Sequence, residues 1–209
     1  MKLDELINRV PSHGVFRTGW ILSGQANPAN VGRQLDRWCK SDRLCQLRRG
    51  VYALRDPYTK QVPHPFLVSN VLKRASYVSL QSALSHYGMI PEYVPTTTCV
   101  TTGRPESFET PLGRFQYRHV ARRLFDGFLE IEIVSEQSVR IATPEKALVD
   151  LLYLTPGSDN DALLRELRIS PHKRFSDETV ILAAAEASES KKVLRAVTQL
   201  LAIWREEAM

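Results

Sequence analysis

The chain has 209 residues, 43% of them hydrophobic and 24% charged, with a net charge of +5 and only three cysteines. That is enough apolar material for one large or two modest cores, and no uninterrupted apolar run approaches the ~20 residues of a membrane span. Three scattered cysteines and five scattered histidines have neither the density of a disulfide scaffold nor the spacing of a zinc site, so no metal is expected and the cysteines read as small buried hydrophobes.

The positive charge is concentrated at one end. Through residue 60 there are eleven Lys and Arg against five Asp and Glu, an excess of six; beyond it there are seventeen against eighteen. The basic excess therefore belongs to the first third, as expected of a unit that meets phosphates. A charged N-terminal stretch, Met1-Lys-Leu-Asp-Glu5, reads as the opening of a polar helix and not as a signal peptide, so a cytoplasmic protein is expected.

Residues 3–10 have a helical pattern, and residues 17–23 read as a short second helix followed by a turn around Ser23 and Gly24. Asn27-Pro28 then gives an N-cap with proline at the first helical position, so a third helix starts here. At about 100° per residue, Val31, Leu35 and Trp38 share one stripe, while Asn30, Arg33, Gln34, Arg37 and Ser41 share a neighbouring one. The second stripe has the composition that reads DNA, because Arg matches the acceptor pair of guanine and Asn or Gln the donor and acceptor of adenine. Leu44-Cys-Gln-Leu-Arg-Arg-Gly-Val-Tyr-Ala-Leu54 follows as two short strands around Arg48, Arg49 and Gly50, a hairpin with a basic tip. Helix, helix, recognition helix and wing is the order of a winged helix-turn-helix. On this reading Asn30, Arg33, Gln34 and Arg37 contact bases, and Lys40, Arg43, Arg48 and Arg49 hold phosphates, with the two wing arginines exposed at the tip. Trp20 and Trp38 are expected in the core of this unit.

Residues 1–56 therefore form a first domain, 57–65 a proline-containing linker, and 66–209 a second domain of mixed α and β structure, making the fold α+β. A helix over 66–74 and a second over 80–87, closed by Gly88, lead to a β-branched strand over 96–102. A hairpin around Pro111-Leu-Gly113 and strands over 128–134 and 139–142 come next. Thr143-Pro144 caps a helix that buries Ala147, Leu148, Leu151 and Leu152, and three helices near 159–168, 176–187 and 189–206 pack on the flank.

Glu130 and Glu132 alternate with apolar residues, as outward strand positions do, and a pair of catalytic or metal-binding carboxylates is the competing reading. Arg114, Arg118, His119, Arg122 and Arg123 form a second basic cluster, open to flanking DNA, to a protein partner, or to water. No phosphate-cradling glycine loop or nucleophile elbow is visible, and no cofactor is expected.

Three segments carry a family likeness: residues 47–54 of the wing, Tyr77 through Ile90 with Val100-Thr-Thr-Gly-Arg104, and Val139 through Asp150. In that order they resemble the AbiEi family of antitoxins from bacterial type IV toxin–antitoxin and abortive-infection operons. The resemblance implies a winged helix that binds inverted repeats in its own promoter and represses it. It also implies a C-terminal antitoxin domain that helps assemble copies on DNA, with no catalytic role. The functional partner would be a nucleotidyltransferase-type toxin, counteracted without a stable complex. The rival readings are a nuclease-like nucleic-acid-processing enzyme targeted by a winged helix, and a winged helix that binds protein.

Overall fold

In the computed structural model, which describes residues 1–22 and 27–208, helices and two separate sheets combine in an α+β fold. The N-terminal unit runs α1 (Leu3–Arg9), β1 (Val15–Arg17), α2 (Thr18–Leu22), α3 (Pro28–Lys40), β2 (Leu44–Arg48) and β3 (Val51–Leu54). The turn expected at Ser23 and Gly24 lies outside the described residues. Its sheet has the order β1-β3-β2, all antiparallel. β1 is an addition to the expected elements: Gly14 adopts φ +69° and turns Val15 and Phe16 into register with Ala53 and Tyr52.

One face of this small sheet, with Phe16, Leu44, Tyr52 and Leu54, closes over Leu6, Ile21, Val31, Leu35 and Trp38. Each of the large side chains buried here contributes about 1.5–3 kcal/mol. The other face, with Val15, Cys45, Leu47, Val51 and Ala53, belongs to the core of the second unit. β3 is consequently buried at all four positions, because it is covered on both sides.

The second unit is built on a six-stranded sheet. Its strands are β4 (Ser76–Val78), β5 (Thr96–Thr101), β6 (Glu106–Thr110), β7 (Gly113–His119), β8 (Phe128–Val134) and β9 (Gln137–Ala142), in the order β6-β7-β5-β4-β9-β8. β4, three residues long and not expected, is central, pairing antiparallel with β5 and parallel with β9. α4 (Pro65–Leu72) packs on one face beside β1; α5 (Leu80–His86) and α6 (Pro144–Leu154) cover the other. Tyr117 donates to the Ser69 carbonyl of α4 at 2.7 Å, whereas Thr98 and the Ser82 amide of α5 meet at 3.1 Å on the opposite side.

α7 (Asp161–Glu166), α8 (Thr179–Ala187) and α9 (Lys191–Glu207) follow. α9 is more than a flank: Val193, Ala196, Val197, Leu200 and Leu201 join the main core against α6 and α8. Segment 57–65 is fastened at several points. Gln61 donates to the Ser135 carbonyl at 2.9 Å, and Gln137 both donates to the Val62 carbonyl at 2.9 Å and accepts from the His64 amide at 2.7 Å. Among the described residues, no helix is long and apolar enough to cross a membrane.

Candidate nucleic-acid interface

α3 begins where the sequence places it. The Asn27 side chain accepts from the Ala29 amide at 3.0 Å and Pro28 occupies the first turn. Removing such a cap costs about 1 kcal/mol. Val31, Leu35 and Trp38 are buried, which fixes the rotation of the helix about its axis. Asn30, Arg33, Arg37 and Lys40 are then exposed and Gln34 half-exposed, across an outward arc of roughly 120°. Arg33 donates to the Asn30 Oδ1 at 2.7 Å, so the two side chains present a joined guanidinium and amide. A shallow groove lined by Met1, Asn27, Asn30, Arg33, Gln34 and Arg37 runs along this face. Asp36, the acid of the helix, lies on the flank toward Cys39 and Tyr52, whose thiol and phenol it helps to push upward after burial itself. Among the described residues, no ion pair neutralises Arg33, Arg37, Lys40, Arg43 or Arg49.

The two arginines at the end of β2 and the β2–β3 turn separate. Arg49 is exposed at the tip, where Gly50 supplies φ +76° and its carbonyl accepts from the Thr18 amide at 3.0 Å. Arg48, expected at an exposed tip, is half-buried, with its guanidinium 5.4 Å from the centroid of the Phe108 ring in β6. The register shift between Gln46 and Arg48 turns it there, and the apolar outer face of the hairpin holds the tip against the second unit.

Trp38 is in the core, but Trp20 is 57% exposed, because the five-residue α2 buries only Ile21. Cys45 and Cys99 are buried and Cys39 half-buried; burial pushes the Cys99 thiol up to about 12.

The residues of the second basic cluster have different partners. Arg118 donates to the Leu154 carbonyl at 2.9 Å at the end of α6. Arg123 donates to the Ser188 carbonyl and pairs with Glu189 at 3.2 Å, beyond α8. Those two cap helix ends, where the dipole favours a cation. Arg114 lines a separate cavity with His64 and His86, and Arg122 is exposed. His119 meets the Gly103 carbonyl at 2.9 Å.

Glu130 stands across the ladder from Arg140, and Glu132 accepts from the Glu136 amide at 2.8 Å in the β8–β9 turn. Both are exposed strand positions. Among the described residues, no group of three or more His, Cys, Asp or Glu is placed to hold a metal ion.

A buried charge network, which the sequence reading missed, lies elsewhere. Lys146 Nζ is 2.8 Å from Asp150 Oδ1 and donates to the Leu124 carbonyl at 2.6 Å; Tyr77 and Ser79 donate to Asp150 Oδ2 at 2.9 and 2.8 Å. Burial pushes the Asp150 carboxyl upward, and Lys146 opposes the shift most strongly. All of these groups are satisfied within the fold, so the network braces β4 against α6. The signal for it was Lys146 and Asp150 at i, i+4 on a helix whose remaining positions, Glu145 apart, are apolar or aromatic.

No protein-family model matches the chain, and no curated protein matches it. Among solved structures it is similar to the crystal structure of the RV2827C protein from Mycobacterium tuberculosis, at 15% identity over 97% of this chain and 78% of that one, with a TM-score of 0.47.

Proposed function

We propose that this chain is a sequence-specific DNA-binding transcriptional autorepressor and antitoxin of a type IV toxin–antitoxin operon, acting in the cytoplasm. Residues 1–56 serve as its winged helix-turn-helix reading unit. The observation that carries the DNA-binding part is the outer face of α3: two arginines, a lysine, an asparagine and a glutamine stand in one arc with no acid pairing them among the described residues. Elsewhere in the chain, arginines such as Arg118 and Arg123 are engaged by carbonyls. An unneutralised arc on a helix held rigidly by Val31, Leu35 and Trp38 suits insertion into a major groove, with Arg33, Arg37, Asn30 and Gln34 at base edges. Lys40 at the edge of that arc, with Arg43 and Arg49 beyond it, supplies phosphate contacts. Arg48 is assigned to the junction with the second unit. The antitoxin part rests on the resemblance to AbiEi antitoxins, whose partner is a nucleotidyltransferase-type toxin.

The test is binding of the full chain to DNA from its own upstream region, by fluorescence anisotropy at several salt concentrations, against a shuffled duplex of the same length. Tighter binding to the upstream duplex, with affinity falling steeply as salt rises, is expected. Equal affinity for both duplexes would sink the sequence-specific reading. Co-expression with the product of a neighbouring nucleotidyltransferase frame tests the antitoxin reading separately, with restored growth as the expected outcome.

A further inference from the structure

The N-terminal unit and the six-stranded sheet meet along a cavity of ≈ 260 Å³ walled by both. Arg17 and Trp20 come from β1 and α2, Asn70 and Val71 from α4, Arg74 from the segment after it, and Arg140 from β9. Among the described residues, three arginines line this space and no Asp or Glu does.

Carbonyl groups engage part of the Arg17 and Arg140 donor sets but do not cancel formal charge. Arg17 donates through Nε to the Val71 carbonyl at 2.9 Å and through Nη2 to the Leu72 carbonyl at 3.1 Å, and Arg140 Nη2 donates to the Arg74 carbonyl. The cations also crowd one another: after burial, Arg48 and Arg74 pull the Arg17 pKa down. Burial lowers Arg140 too, with Glu130 across the ladder offsetting it. Asn70 holds the β9 wall in place. Its Oδ1 accepts from the Arg140 amide at 2.6 Å, which fixes the orientation of the side-chain amide and leaves Nδ2 buried without a hydrogen-bond partner. Electropositive and donor-rich walls beside an aromatic ring describe a place for an anion with a flat apolar body.

We propose that this cavity binds a small aromatic carboxylate. Its volume equals about nine water-sized groups at ~30 Å³ each, the scale of a single substituted ring. The guanidinium donors left over by the carbonyl contacts suit the two oxygens of a carboxylate. A compact phosphate would leave the Trp20 and Val71 walls uncovered. The ring lies along those walls, with its charged end toward Arg74 and Arg140. Because the walls belong to two units, the ligand bridges them. The inference does not depend on the DNA-binding reading.

The probe is 4-fluorobenzoate, followed by fluorine NMR on the full chain. Saturable binding to one site with a Kd of about 1 mM is expected, on the scale of so small a ligand. Arg74→Ala and Trp20→Ala, both at exposed positions that leave the core intact, each weaken it about tenfold. Arg9→Ala, on the exposed face of α1, leaves it unchanged. Equal binding by Arg74→Ala would overturn the proposal, as would equally tight binding of 4-fluorobenzyl alcohol, which lacks the charge. Displacement of the probe by inorganic phosphate at matching concentration would also overturn it, by showing a bare anion site.

Discussion

The cations of the N-terminal unit and those of the sheet unit have the same chemistry in opposite settings. Along α3, Arg33, Arg37 and Lys40 face outward with no acid paired to them among the described residues. In the second unit, Lys146 is closed in by Asp150 and the Leu124 carbonyl, Arg118 caps α6, and Arg123 caps the end of α8. The difference teaches that a basic cluster in a sequence acquires meaning only from the carbonyls and carboxylates that the fold brings to it. Where helix ends lie close by, arginine becomes structure; where the helix flank faces outward, it remains available to a ligand.

The sharpest way to test that division is to break the most enclosed cation. Lys146→Met leaves the buried Asp150 carboxylate without its counter-charge and should destabilise the fold by about 3–5 kcal/mol in urea unfolding. Its pH dependence has a definite sign. Burial raises the Asp150 pKa in the folded state, and Lys146 is the largest influence opposing that rise. A group whose folded pKa is raised contributes stability below its unfolded pKa and loses it as pH rises through the folded value. Without Lys146 the folded pKa climbs further, so the deficit of the variant should be greatest near neutral pH and shrink as the solution is acidified. A deficit independent of pH would show that packing, and not charge, is what Lys146 provides.

The opposite outcome is expected at α3. Arg33→Ala and Arg37→Ala should each cost about 1–3 kcal/mol on the cognate duplex and relax its sequence preference, with thermal stability unchanged because both side chains are exposed. Arg118→Ala should do the reverse, losing about 1 kcal/mol of stability with its helix-end hydrogen bond and leaving DNA affinity as it was. If Arg118→Ala weakened DNA binding as much as Arg37→Ala, the contrast between the two groups would be lost.

Elements whose boundaries are set locally were legible in the sequence. Asn27-Pro28 and Thr143-Pro144 begin helices, and their caps form as hydrogen bonds to Ala29 and Lys146 amides. The alternation around Gly113 makes the β6–β7 hairpin. What was not legible depends on partners distant in the chain. β4 is only three residues long and owes its central place to β5 and β9. β1 forms because β3 offers a free edge. The fate of Arg48 was hidden for the same reason, although Val51-Tyr-Ala-Leu54 held a clue: a strand with no polar position is covered on both faces, so a second unit had to lie against the hairpin. Trp20 misled because a large aromatic residue on a one-turn helix was given a core in which, among the described residues of that helix, only Ile21 is buried.

The smallest expected effect is also the finest test, because it compares neighbours. Arg49 is exposed and Arg48 lies over Phe108. Counterion release makes the logarithm of DNA affinity fall with the logarithm of salt by about 0.9 for each phosphate neutralised. Arg49→Ala should therefore flatten that slope by about one unit and weaken all sequences alike. Arg48→Ala should leave the slope intact and instead cost about 0.5–1 kcal/mol of stability, the scale of a partly exposed cation–π contact. Phe108→Leu should reproduce the stability loss and, if Arg48 is held only by that ring, release its guanidinium to steepen the salt dependence. A flatter slope in Arg48→Ala would mean that the guanidinium leaves Phe108 when DNA binds, and the hairpin would then present two phosphate contacts instead of one.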